Sequence, residues 1–422
     1  MPPTLTPART RVTTGLTAVA VVVALAGCSD SSASTPSAGS LDFSFSYPST
    51  ENSPYAALAE RYMEANPGVT VTLNPIPSEN YDSVLRTQLQ GGNASDVIMA
   101  TPGSGTTLSV ISLAQANLLA PLAETNAALV DEGSKSMFFV DGEQFGHPTD
   151  ISITGTIFNE APGVAYPESS EELLETCAAL DGGTSLFALA GSVPINGGIA
   201  AVTIAATNVY AENPDWDAQR AAGEVSFAGT EGWRATLQLI IDMKDAGCFQ
   251  AGAEGSGFDA IVNGIGQGTS LGAFIPGGAA VELGRSSPEA ELVVESFPAP
   301  KGAKPFIFAS SDYAVSISEA SERKEAAQAF LDWFAEPENA EGYADASGTI
   351  PITGIDGIDL TNSTYAPVAQ LIADGQYTQF PVNIWSNPSV FDKLGSGVQA
   401  LLTGQQSVDG LLGELDAAWD SK

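Results

Sequence analysis

LDFSFSYP at Leu41–Pro48, VTVTLNPI at Val69–Ile76 and DVIM at Asp96–Met99 are separated by two stretches of helical spacing, and this alternation decides the fold. The first run alternates and is aromatic, as a strand with one buried face should be. Asn52-Ser53-Pro54 reads as a helix start, with Ser53 as N-cap and Pro54 at the first helical position. Tyr55, Leu58, Ala59, Tyr62 and Met63 then recur on one helical face until Asn66-Pro67-Gly68 stops the helix. Tyr81, Val84, Leu85 and Leu89 mark a second helix, closed by Gly91-Gly92. Strands alternating with helices of this length predict an α/β chain with a mostly parallel sheet covered on both faces.

Toward the N-terminus stands VTTGLTAVAVVVALAGC, Val12–Cys28, preceded by Arg9 and Arg11. A basic start, a short apolar core and small residues at the end describe a secretory signal, because the core falls well short of the roughly 20 residues that cross a bilayer. Its ending, Leu-Ala-Gly-Cys, resembles the bacterial lipobox. That resemblance implies a signal peptide over residues 1–27 and lipidation (palmitate) of Cys28. SDSSASTPSAGS at 29–40 cannot form a core and reads as a flexible tether. The expected location is the extracellular face of the cell membrane, with the chain held by its lipid.

Beyond the tether roughly 380 residues remain, more than one core usually serves, so two domains are expected. The chain carries 15 Lys+Arg against 50 Asp+Glu, a formal charge of -35, and loss of Arg9 and Arg11 with the leader makes it more negative. Such a surface repels nucleic acid and anionic headgroups. With Cys28 assigned, Cys177 and Cys248 are a candidate disulfide in an oxidising compartment, two separately buried thiols being the other possibility.

Further along, PTDISITGTIFN at 148–159 enters a strand, Pro167–Leu180 is helical, and Gly182–Ile199 is too glycine-rich to assign. Glu231–Asp245 and Ser321–Ala335 are amphipathic helices, with Ala326, Ala329, Phe330 and Trp333 sharing a face of the second. LVVESFPAP and PFIFASSDYAVSI are strand-like on either side of a Lys301-Gly302 turn, and two helices close the chain at about 389–402 and 407–419.

The segments YMEANPGVTV (62–71), TQLQGGNASDVIM (87–99), PTDISITGTIFN (148–159), FPAPKG (297–302), SSDYAVSI (310–317), AAQAFLDWFA (326–335) and GQQSVDGLLGELDAAWD (404–420) follow one another in a familiar order. As a set they resemble the family 1 extracellular solute-binding proteins of bacterial ABC importers, the group of maltose-binding protein and many sugar receptors of Gram-positive bacteria. The resemblance implies a two-lobed periplasmic-binding-protein-like fold of type II. Each lobe is a mixed, mostly parallel sheet flanked by helices, hinged by strands that cross between lobes. On that scheme one lobe is 41–149 with 308–355 and the other 150–307 with 356–422. The chain departs from the family at Ser95, where Pro is common, and at Gly-Gln-Gly-Thr-Ser, 266–270, where Gly-Lys-Ala-Ala-Met is usual.

A neutral sugar needs carboxylates and amides for its hydroxyls and aromatic faces for its C–H surface. The aromatic candidates are Tyr47, Phe274, Tyr313 and Trp385, the last placed by its order in the tail near the sugar-stacking tryptophan of maltose-binding-like proteins. Polar candidates are Glu51 and Asn52 in the first strand-to-helix loop, Asp150 and Asp312 at the presumed lobe crossings, and Asn383 beside Trp385. Asp96 is expected to be a structural acid holding the loop that ends at Pro102-Gly103. Catalysis finds no support. His147 is the only histidine, which removes paired-histidine metal sites, and neither a Gly-x-Ser-x-Gly elbow nor a phosphate loop is present. The expectation is a monomeric, non-enzymatic receptor without cofactor or metal, taking a small solute, a neutral carbohydrate by class, to ABC permease subunits; a polyamine receptor and a secreted glycosidase are the alternatives.

Overall fold

The computed structural model describes residues 41–49, 53–123, 126, 129–130, 132–353 and 358–421. The leader, Cys28, the tether, Glu51 and Asn52 lie outside them.

In the first lobe the strands run Val71–Pro77, Phe43–Ser49, Val97–Ala100, Ala314–Ser318, Leu119–Ala120, and His147–Pro148 also pairs with Ala314–Ser318. The first three are parallel, and Ala314–Ser318 returns antiparallel. Phe43, Phe45 and Tyr47 alternate onto one face, where Phe43 meets Phe330 at 5.2 Å and Phe45 meets Tyr55 at 5.8 Å. This face lies under helices Pro54–Ala65 and Lys324–Phe334. Ser44 and Ser46 point the other way. Asp96 accepts hydrogen bonds from the Ser44 N–H and hydroxyl at 2.7 Å and from the Ser321 hydroxyl at 2.7 Å. Asp96 is thus structural, but it ties the first strand to the 318–321 turn and not to Pro102-Gly103.

Ser53 and Pro54 open the first helix as expected, although the Ser53 side chain makes no capping bond. Gly92, at φ 68°, ends helix Tyr81–Gly91 in the left-handed conformation that glycine tolerates best. The core stripe of Lys324–Phe334 is Ala326, Ala327, Phe330, Leu331 and Phe334, with Trp333 only half-buried, so the buried face is rotated slightly from the predicted one. A further helix, Pro337–Ser347, follows.

The second lobe holds two sheets: Ser185–Ala188, Ser270–Ala273, Thr156–Asn159, Leu292–Glu295, and Ile350–Pro351, Asp150–Thr154, Ile307–Ser310, Tyr377–Thr378. Parallel pairs join Ser185–Ala188 to Ser270–Ala273 and Ile307–Ser310 to Tyr377–Thr378; the pairs made by the crossing strand Asp150–Thr154 are antiparallel. The glycine-rich region resolves into the strand Ser185–Ala188 and the helix Pro194–Ala205, buried on almost every side. PINGGIAAVTIA has no polar face, which is the pattern of a helix surrounded by protein. Glycines on both sides serve the contact: a Cβ on Gly198 of this helix would run into the Phe391 ring, and one on Gly395 of helix Pro388–Leu402 would run into the Pro194 carbonyl. The terminal helices Pro388–Leu402 and Val408–Asp420 therefore seat on the second lobe, packed against Pro194–Ala205 and Glu231–Asp245.

Hydrophobic cores divide accordingly. One is drawn from residues between 43 and 138 and between 314 and 343; two others are drawn from residues between 153 and 309 and between 350 and 419. Among the described residues no helix is long and apolar enough to cross a membrane.

Cys177 and Cys248 are joined, with Cα atoms 4.8 Å apart across a sequence separation of 71. The bridge fastens helix Ser170–Ala179 to the segment leaving helix Glu231–Asp245. On the chain-entropy account a loop of this length contributes about 4 kcal/mol. A Cys177→Ser/Cys248→Ser double variant should lose about that much in urea unfolding; an unchanged midpoint would show that the bridge constrains nothing the core does not already hold.

Candidate functional site

The chain crosses between lobes at Thr149–Asp150, at Ser311–Tyr313 and at Gly348–Thr349, and the first two crossings touch. The Thr149 N–H donates to the Tyr313 carbonyl at 3.1 Å, and the Thr149 hydroxyl to Asp150 Oδ1 at 3.0 Å. Ile307–Ser310 and Ala314–Ser318 belong to different sheets, so the strand-like run PFIFASSDYAVSI breaks at these crossing residues.

Above them opens a cavity of about 620 Å³. Pro48, Tyr55, Tyr81, Thr101 and Tyr343 come from the first lobe; Ile195, Pro276, Gly278 and Arg285 come from the second; Asp150, Asp312 and Tyr313 form the shared floor. Pro48, Tyr55, Tyr81 and Thr101 sit at or just beyond the C-terminal ends of parallel strands or in the helices that follow, the usual ligand position in open α/β sheets, and Tyr343 joins them from helix Pro337–Ser347. A larger depression, about 870 Å³, lies on the second lobe among Glu168, Glu171, Glu172, Glu175, Glu295 and Lys301. It is lined by residues 166–175 and 295–305 alone, so a molecule held there would touch one lobe only. The shared cavity is the better candidate for a site on which lobe movement acts.

Burial governs the acids of the cavity floor. Asp150 is pushed up to about 6, chiefly by desolvation, against hydrogen bonds from Thr149, Thr349 and the backbone of Asp312 and Tyr313. Asp312 rises to about 8, through desolvation first and the negative charge of Asp150 second. Tyr313 is raised by the charge of Asp312 and by burial. Among the described residues no group of three or more His, Cys, Asp or Glu side chains is placed to hold a metal.

Asp150, Asp312 and Tyr313 thus meet at one place, while Tyr47, Phe274, Asn383 and Trp385 do not line it. Trp385 is fully buried in an aromatic cluster, 6.3 Å from Trp233, 5.8 Å from Phe227 and 6.2 Å from Trp419, and its indole N–H donates to Asp217 at 2.8 Å. Its ring is consumed by core packing and offers no face to a solute. Phe274 is likewise core, against Phe187 at 4.8 Å and Phe297. Tyr47 packs beneath the first helix against Phe45 and Tyr55, and its neighbour Pro48 reaches the cavity instead. Asn383 is a fastening residue. Its amide donates to the Ser311 carbonyl at 3.3 Å, and its own carbonyl accepts from the Ser104 N–H at 2.9 Å. The segment Val382–Asn383 lies so close to this loop that a Cβ on Gly103 or Gly105 would overlap the Asn383 or Val382 carbonyl. Apolar spacing marks Tyr55 and Tyr81 only as helix-face residues, and their position in the first turn of the helix is the signal that separates them from core; Tyr343 lies on helix Pro337–Ser347, which is not anticipated from the sequence.

Two measurements test this electrostatic picture. Asp150, Asp217 (about 7), Glu295 (about 7) and Asp312 all bind their protons more tightly folded than unfolded, so their stabilisation is full at low pH and is lost as pH rises through these values. Buried His147, lowered to about 4, acts oppositely, but only below its ordinary value of 6.5. The melting temperature should therefore rise from about pH 8 to about pH 6.5; a fall would contradict the burial of these acids. Trp385→Phe, which strips Asp217 of a donor, should cost about 1–3 kcal/mol in denaturant unfolding without altering solute affinity.

Several solved structures share this architecture. A chitin-oligosaccharide-binding protein aligns with TM-score 0.72 at 19% identity, over 90% of this chain and 98% of its own. RafE in complex with raffinose aligns at 0.70 and 18%, over 90% and 98%. The GacH receptor of Streptomyces glaucescens, solved unliganded and with acarbose, aligns at 0.70 and 18%, over 90% and 99%. These likenesses show the two-lobed fold. No curated protein sequence matches the chain. The family model described as bacterial extracellular solute-binding protein matches residues 47–341, well over half of the chain, and the protein belongs to that family.

Proposed function

We propose that this protein is the solute receptor of an ABC importer, capturing a mono- or oligosaccharide in the cavity between its lobes and handing it to the permease's membrane subunits. The observation that carries the reading is that one cavity takes its walls from both lobes and its floor from the chain crossings. A solute touching both walls favours the closed arrangement by its differential affinity for it, and the crossings are where backbone rotation can bring the walls together. The saccharide class draws support from relatives whose names include raffinose, acarbose and chitin oligosaccharide. Residues 41–149 with 308–355 and 150–307 with 356–422 are proposed as the moving bodies, except that strands Ile307–Ser310 and Ile350–Pro351, being paired with Asp150–Thr154, move with the second. Cys28 is proposed as the lipid anchor that keeps a monomeric receptor at the outer face of the membrane. No reaction is assigned to the site; its two carboxyls are proposed to bind and not to transform.

Saccharides presented to the purified chain should raise its melting temperature. A solute at 100 times its Kd stabilises the fold by about 2.7 kcal/mol. The same solute should shrink the radius of gyration in X-ray scattering, and Tyr313→Ala should weaken binding about tenfold, or about 1.4 kcal/mol. A tight binder that leaves the scattering curve unchanged would remove the closure mechanism. Release of a cleaved product from an oligosaccharide would remove the assignment as a receptor.

A further inference from the structure

The two acids on the cavity floor are unequally supplied with partners. Asp150 accepts from the Thr149 and Thr349 side chains and from two backbone N–H groups, which orient it as an anion. Asp312 has no such support among the described residues: burial and the neighbouring Asp150 act on it, and no hydrogen-bond donor does. No Lys or Arg is among the groups acting on either carboxyl. The one cation on the cavity wall among the described residues, Arg285, donates from its guanidinium to the Ala346 carbonyl at 3.4 Å. A third acceptor stands in the same wall. Tyr55 is 5% exposed; its hydroxyl is turned as a donor toward that of Tyr343, and its oxygen accepts no hydrogen bond among the described residues.

An ammonium group carries three donors, no acceptor and one positive charge. It would give the Asp312 carboxyl its missing donor, cancel the repulsion between the two acids, and find an acceptor in the Tyr55 hydroxyl. The rings of Tyr55, Tyr313 and Tyr343 supply electron-rich faces around a cation, and the chain's formal charge of -35 draws cations toward it. A neutral hydroxyl meets only part of this demand, since it brings one proton and no charge. We propose that the solute carries a protonated amine seated against Asp150 and Asp312, which, on the saccharide reading this inference rests on, makes it an amino sugar. As the amine binds, the proton held by the acid pair leaves from Asp312 to solvent. Among the described residues the titratable and charged groups around Asp312 are Asp150, Tyr313, Tyr343 and Tyr365, with Tyr55, Tyr81, Asp82 and Arg285 on the same cavity walls, and the tyrosines stay protonated throughout the neutral range.

Calorimetry on the purified chain at about pH 6.5 separates the possibilities, with the fully deacetylated glucosamine disaccharide, its N-acetylated counterpart, maltose, raffinose and spermidine as probes. The amine disaccharide should bind at least about tenfold more tightly than the acetylated one. Its binding heat should depend on the buffer's ionisation enthalpy, reporting the released proton. Asp312→Asn should abolish both the preference and the proton release while leaving the melting temperature unchanged or higher. Equal or tighter binding of maltose, raffinose or the acetylated disaccharide overturns the amine and leaves the saccharide receptor standing. Binding of spermidine alone keeps the amine and overturns the saccharide. No binding by any probe overturns both.

Discussion

The Thr149 N–H bonds to the Tyr313 carbonyl, and together with the pairing of His147–Pro148 on Ala314–Val315 and of Ser152–Thr154 on Phe308–Ser310 it lays two chain segments far apart in sequence side by side where the lobes join. Everything at the site follows from this placement. Strand Asp150–Thr154 must leave the first lobe where Ala314–Ser318 enters it, so the residues at the two junctions, Asp150 and Asp312, are forced into one another's company. Two carboxyls in a desolvated place repel when both are ionised, and the fold tolerates them by keeping a proton on the pair.

Around that junction the lobes are built by different means. The first is a sheet with an aromatic face, in which Phe43, Phe45 and Tyr47 meet helices from both ends of the sequence. The second relies on helix against helix. Its densest part gathers Tyr210, Trp216, Phe227, Trp233, Trp385 and Trp419 around the buried carboxyl of Asp217, which accepts from Tyr210 and Trp385. A single acid satisfied by two aromatic donors fixes the rotamers of both rings, and Trp385 in turn carries the segment that reaches across to the first lobe.

Periodicity made the first lobe legible, because strand Phe43–Ser49 and helices Pro54–Ala65 and Tyr81–Gly91 show their buried faces at periods of two and of three to four. The helix Pro194–Ala205 escaped because it is apolar all round and rich in glycine, so it shows neither a stripe nor the usual propensity. At the site, Asp150, Asp312 and Tyr313 could be located from the order of segments, since a crossing is a topological fact that sequence order preserves. Trp385 could not be judged that way. Whether a tryptophan ring faces a cavity or a core depends on which neighbours fold around it, and here Phe227, Trp233, Phe391 and Trp419 arrive from three separate stretches.

Gly103 and Gly105 accept the carbonyls of Asn383 and Val382 at distances that leave no room for even a methyl group, and Gly103 also has a positive φ of 72°. These two sites are therefore closed to mutational drift, whereas the acidic exterior can exchange residues freely. A receptor that diversifies by altering its cavity walls must do so around this seam, keeping two bare backbone positions unaltered while the chemistry beside them changes.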